Sequence, residues 1–328
     1  MHERRTEGQV TRGAWLIASA LALAGCSSLP PVVDHHQHVF SPAIAALIST
    51  PERPFVAVGA RDVVAELDKA GIRRAVLLSV AYLYASPSRV VEEVAAKVRG
   101  ENDWTAAQAA LYPARLVAFC GFNPLSDHAL GELERCAGQP GLQRGIKLHF
   151  GNSDVQLDDA SHVEQVKRVF AAANARRMAI AVHFRASIGR KRPYGGAQVR
   201  VFLDQVMPMA PDVPVQIAHF AGSGPGYDDA AAQEAMGAFA AAVARREPST
   251  RRLWFDVASI VDADISSGTA ELVVRFIRQV GPDRVLYGSD AAVGTNLRPR
   301  EAWAAFRRLP LTQAELMTIA SNVAPYLQ

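Results

Sequence analysis

The sequence predicts an α/β fold, a (β/α)8 barrel, and three observations carry that reading. Eight short apolar runs rich in Val and Ile recur along the chain. Longer segments with apolar residues at helical spacing separate them, several ending in Gly or Pro as helix stops do. Setting aside an N-terminal leader, roughly 300 residues remain, which suits one large barrel better than two independent domains. A doubly wound open sheet is the runner-up architecture. No glycine-rich phosphate-binding turn follows the first run, which weakens that alternative.

The predicted strands are Val32–His36, Ala75–Val80, Leu116–Gly121, Arg144–His149, Ala179–Phe184, Pro214–His219, Leu253–Ala258 and Arg284–Ser289. The intervening helix-like segments are "RDVVAELDKAG", "SRVVEEVAAKVR", "HALGELERCAG", "SHVEQVKRVFAAANARR", "QVRVFLDQVMP", "AAAQEAMGAFAAAVARRE" and "ADISSGTAELVVRFIRQVG". A further helix-like stretch, Asn102–Pro113, joins the second and third strands. Two helices are expected after Asp290, near "REAWAAFRRL" and "TQAELMTIASNVAPYL". His128 and His162 open helix-like segments after Asp127 and Ser161, so both are expected in surface capping neighbourhoods.

The leader has its own signature. Arg4, Arg5 and Arg12 precede the apolar stretch "GAWLIASALALAGC", Gly13–Cys26. A basic start, a short apolar core and a small-residue exit are the layout of a secretory signal. The stretch is short for a membrane span, which takes roughly 20 apolar residues. Leu23-Ala24-Gly25-Cys26, followed by Ser27, resembles a bacterial lipobox. The expected organisation is a signal peptide over 1–25, a short linker over 26–31 after a lipidated Cys26, and the barrel over 32–328. The expected location is the cell envelope: a periplasm-facing lipoprotein in contact with the membrane through its lipid anchor, with Ser27 fitting outer-membrane sorting.

Composition excludes some partners. A net charge of +3 and 49% hydrophobic residues are ordinary for a soluble domain. No long basic run with interleaved aromatics suggests nucleic acid. Mean hydropathy of +0.04 excludes a multi-span membrane protein. Cys120, in the apolar run "LVAFCGF", is expected to be buried. An oxidising compartment permits a bond to Cys136, but the spacing does not demand one. Cysteines so dispersed argue against a structural zinc knuckle.

The chemistry lies in the histidines. In a (β/α)8 barrel all strand C-terminal ends meet at one mouth. His36 and His38 end the first predicted strand, His149 the fourth, His183 the fifth and His219 the sixth, and Asp290 follows the eighth. Alternation along a strand places Asp34, His36 and His38 on one face. His35 and Gln37 are then expected to face the helices. Lys147 and His149 share a face by the same rule. Neutral imidazoles with a carboxylate suit a divalent transition metal.

The motifs "VVDHHQH", "GIKLHF", "AIAVHF", "VQIAHFAG" and "RVLYGSD" follow one another in the order of the amidohydrolase superfamily. The chain resembles its amidohydrolase-related branch over roughly residues 32–328, a branch that holds aminocarboxymuconate-semialdehyde decarboxylase-like enzymes and assorted hydrolases. The resemblance implies one divalent metal, with zinc favoured, held by His36, His38, His183 and Asp290. Asp290 would also shuttle a proton, and His219 would polarise water or substrate. Lys147 and His149 are further metal or pocket candidates, and a carboxylated Lys147 would accommodate a second metal. The implied activity is hydrolysis of an amide, lactone or ester. The alternative is non-oxidative decarboxylation of an aromatic or unsaturated acid. A third reading is a binding lipoprotein without turnover. Arg185, two residues beyond His183, is the candidate for holding a substrate carboxylate, with Arg190, Lys191 and Arg192 read as a solvated basic loop. The expected partner is a small molecule, and a homo-oligomer is compatible with the sequence.

Overall fold

The computed structural model describes His2 and residues 29–186 and 191–328. Apart from His2, the predicted signal peptide lies outside the described residues, as do Cys26 and Arg190. Eight parallel strands form one sheet in chain order: β1 (Val33–Gln37), β2 (Arg74–Leu78), β3 (Leu116–Gly121), β4 (Gly145–His149), β5 (Ala179–His183), β6 (Val215–Ile217), β7 (Leu253–Asp256) and β8 (Val285–Leu286). All eight fall within or beside the predicted runs. Two backbone bonds bring the first strand to the last: His35 N–H donates to Tyr287 O at 2.9 Å, and Asp290 N–H donates to His36 O at 2.8 Å. The sheet is thereby a nearly closed (β/α)8 barrel.

The helices are α1 (Pro42–Ile48), α2 (Ala60–Ala70), α3 (Val94–Ala110), α4 (Ala129–Gly138), α5 (Phe150–Ser153), α6 (Ala160–Ala175), α7 (Gly196–Val201), α8 (Ala230–Ala244), α9 (Ser267–Val280), α10 (Pro299–Phe306) and α11 (Gln313–Ser321). Their starts follow local chemistry. Ser41, Asp159, Asp229 and Ser266 each accept a backbone N–H from the first turn of the helix they precede. Thr312 and Glu315 form a reciprocal capping box at α11. His162 Nδ1 accepts the Gln156 amide, and His128 sits at the N-cap of α4. One difference concerns "SRVVEEVAAKVR" and Asn102–Pro113. They are not two segments: α3 starts later, after Glu93 in a left-handed conformation, and runs unbroken to Ala110.

The core has two parts. The larger lies between sheet and helices. The smaller joins Val33 of β1, Val76 and Leu78 of β2, Phe119 of β3, and Ala179 and Ala181 of β5 with Leu327 from the C-terminus. Only the barrel interior brings β1, β3 and β5 side chains together, so this second cluster is the floor of the barrel. Gly145 makes room for it, because a Cβ there would lie 2.4 Å from the Phe119 ring. Cys120 is buried, as expected, and forms a disulfide with Cys136, tying β3 to α4. Among the described residues no helix is long and apolar enough to cross a membrane.

Candidate metal centre

The "DHHQH" segment does not follow simple alternation. Asp34 pairs with Ala75, and Gln37 pairs with Leu77, so three steps along β1 match two along β2. This irregularity is a β-bulge, which turns two consecutive residues to one side. His35 and His36 are therefore both inward. The His35 ring meets the Tyr326 ring edge-on at 6.4 Å, and Tyr326 packs against the floor cluster. Asp34 and Gln37 take the other side. Gln37 donates to Asp34 Oδ2 at 2.9 Å, and borders an outer groove with Asp62 and Arg298. The expected faces of Asp34 and His35 are thus exchanged. Burial raises the Asp34 carboxyl to about 6, against the lowering pull of its bonds from Ser289 and Gln37.

Three histidines are anchored in the same way. His36 Nδ1 lies 3.0 Å from Asp256 Oδ2, and His219 Nδ1 lies 2.8 Å from Ala258 O. His38 Nδ1 bonds to Leu78 O. Carboxylate and carbonyl oxygens only accept, so each Nδ1 carries the proton and each Nε2 keeps its lone pair. Burial and, for each, neighbouring positive groups hold all three imidazoles below their ordinary pKa, His219 down to about 3. They are neutral at pH 7 and ready to ligate.

His149 differs. The Asn152 amide donates to its Nδ1 at 3.1 Å, so the proton of the neutral ring sits on Nε2. It lines the cavity with a donor on Nε2, unlike the other three. His183 stacks on it, with ring centroids 3.8 Å apart and 13° between planes. The His183 ring is 5.0 Å from that of His219. Both histidines line the same cavity as His36 and His38.

Asp290 completes the arrangement. Ligand atoms of His36, His219 and Asp290 all lie within 4.8 Å of one another. Asn296 donates to Asp290 Oδ2 at 2.9 Å, while the buried Oδ1 has no hydrogen-bond partner and sits 3.3 Å from His38 Nε2. Burial pushes this carboxyl well above its usual pKa, although Lys147 pulls it down. Lys147 Nζ is buried 3.5 Å from His36 Nε2. Burial lowers its pKa to about 8, with Asp256 and Asp290 opposing. An orphaned carboxylate oxygen beside neutral imidazole lone pairs fits a divalent cation.

Asp256, at the end of β7, is the residue that sequence reading missed. Besides His36 it accepts Gln216 Nε2 at 2.6 Å and the His219 and Ala258 amides at 2.9 and 3.1 Å. Burial would raise this carboxyl, but the His36 and His219 interactions outweigh burial and hold it well below the carboxylate range. Its sequence signal is an aspartate at the C-terminal end of a barrel strand, the position where this fold places its chemistry. It holds a strained chain. His219, Phe220 and Ala221 have φ of 54°, 48° and 62°, and Asp290 has 52°. Non-glycine residues in this region cost about 1–3 kcal/mol each and gather at functional sites. Gly288 lets β8 approach, since a Cβ there would lie 2.7 Å from His36 Cβ.

Arg185 is placed elsewhere. Its Nε bonds Asp229 Oδ2 at 2.5 Å, and its guanidinium lies 4.4 Å over the Tyr194 ring. It does not line the cavity. The "solvated" Arg192 pairs with Asp154 at 3.0 Å. The cavity itself encloses about 230 Å³, walled by Phe40, Phe55, Val80 and Tyr82 beside the histidines, Lys147 and Asp290.

A family model described as amidohydrolase matches residues 33–322. Similar solved structures include 5-carboxyvanillate decarboxylase from Sphingomonas paucimobilis, 20% identical, with a TM-score of 0.62 over 89% of this chain and 97% of that one. A second is 2,6-dihydroxybenzoate decarboxylase from Rhizobium, 16% identical, with a TM-score of 0.59 over 89% and 97%. A third is a 2-pyrone-4,6-dicarboxylic acid hydrolase described as putative, from Pseudomonas putida, 16% identical, with a TM-score of 0.59 over 89% and 94%. At such identities the likeness is one of fold. Comparison with curated protein sequences finds no match.

Proposed function

The chain belongs to the amidohydrolase family, and on that premise we propose that it is a metal-dependent hydrolase of a small molecule with an activated carbonyl. The observation that carries the reading is the shared anchoring of His36, His38 and His219, with three Nε2 lone pairs beside an orphaned Asp290 oxygen. His36, His219 and Asp290 would hold the ion, with His38 alongside, and zinc suits this donor set. When bound, a divalent ion supplies Lewis-acid activation of water or of a carbonyl.

The chain's own residues supply the rest. Asp256 fixes the His36 ring and raises its basicity, as outer-shell carboxylates do. Asp290 Oδ1 has no competing hydrogen bond, so it is free to take and return a proton. His149 Nε2–H and Lys147 are the donors available to a substrate oxygen or carboxylate, in place of Arg185. Phe40, Phe55 and Val80 make an apolar wall that excludes water. The volume suits one small ring rather than a drug-sized ligand.

Decarboxylation is the second reading, because two of the similar folds carry that name. The test is metal quantification on purified protein, then a screen of esters, lactones, amides and aromatic acids with CO2 detection. We expect a stoichiometric divalent metal and chelator-sensitive hydrolysis. Metal-free protein unaffected by chelator would overturn the metal-dependent reading. CO2 release without any hydrolysis would replace hydrolase by decarboxylase.

A further inference from the structure

The face of the barrel opposite the histidines is rich in arginine, and nothing in the proposed chemistry uses it. Parallel strands all begin on one face, and six of the eight here are entered through arginine. Part of this has a structural reason. Arg115 pairs with Asp68 and Arg176 with Glu134. Arg74, Arg144 and Arg284 cap the carbonyls of Leu327, Tyr326 and Thr250.

Arg73, Arg177, Arg251 and Arg252 are different. They are exposed and have no ion-pair or side-chain hydrogen-bond partner among the described residues. Arg144, Arg177 and Arg252 surround a concavity of about 820 Å³ with Tyr326 in its wall. The acid on its rim, Asp212, is already bonded by Asn174. Unpaired like charges on one face repel and do nothing for the fold, whereas an extended anionic surface relieves that repulsion. The chain direction adds an independent observation. Val32 N–H bonds Ala320 O, Pro30 packs beside Gly71, and β1 starts on this face, so the described segment that opens at Leu29 begins at its edge. The apolar stretch Gly13–Cys26 lies immediately upstream in sequence.

We propose that this arginine face docks on an anionic phospholipid bilayer, which points the histidine mouth away from the membrane. The test uses the full chain and co-sedimentation with phosphatidylcholine vesicles made with and without phosphatidylglycerol. Arg177→Gln/Arg251→Gln/Arg252→Gln should weaken binding to the anionic vesicles by about 100-fold, at roughly fivefold per arginine. Binding to the zwitterionic vesicles and the metal content should be unchanged. The matching triple lysine variant keeps the charge and should bind like the parent.

Three outcomes overturn the proposal. The glutamine variant could bind anionic vesicles as the parent does, which would assign the attraction to Arg4, Arg5 and Arg12. The parent could show no preference for phosphatidylglycerol. A short DNA duplex could bind as tightly as the vesicles at the same salt, which would make the face a general polyanion surface.

Discussion

The mouth and the floor of the barrel are built from the same strands and obey opposite rules. At the floor, Val33, Val76, Leu78, Phe119, Ala179, Ala181 and Leu327 form a dry cluster. The mouth instead collects neutral imidazoles, Lys147 and two buried carboxylates, and it keeps His219, Phe220, Ala221 and Asp290 in left-handed conformations. The contrast teaches how labour divides along one strand: its first residues stabilise, and its last residues hold reactive groups that burial alone would disfavour.

Four substitutions probe that division. At the mouth, Asp290→Asn should lower kcat by about 1,000-fold or more, because general acid–base groups contribute roughly 10²–10⁴. Some metal should remain bound, which metal analysis beside turnover will check. At the floor, Phe119→Ala should cost about 3–5 kcal/mol of stability by chemical denaturation. Its activity per folded molecule should be preserved; a matching loss of activity would erase the division. Asp256→Asn belongs to the mouth but touches no substrate. It should weaken metal affinity by about 10–100-fold, as measured by competition with a chromophoric chelator. The smallest effect is expected at Tyr326→Phe, which removes the hydroxyl donated to Gln216 Oε1. It should cost about 1 kcal/mol in thermal unfolding and leave metal affinity unchanged.

Much of this was legible in the sequence. Short apolar runs separated by segments of helical spacing located every strand, and strand ends brought His36, His38, His149, His183, His219 and Asp290 to one cavity. Three features were not legible, for physical reasons. The bulge in β1 arises from pairing with β2, so alternation within "DHHQH" misassigned Asp34 and His35. The partner of Arg185 is Asp229, 44 residues further on, and a charge near a ligand says nothing of a competing charge so distant. His149 and His219 look alike as strand-end histidines. Only their Nδ1 partners, an amide in one case and a carbonyl in the other, assign them opposite protons.

The seam between β1 and the segment after β8 has a consequence in time. Asp290 donates its amide to His36 O, so one residue both seals the cylinder and offers a candidate ligand oxygen beside His36. A ribosome makes β1 long before it makes the segment after β8. A growing or truncated chain therefore owns the histidines of the first strand without the carboxylate they await. On the proposed reading, the metal centre can form only after the segment beyond β8 has been made and has closed onto β1.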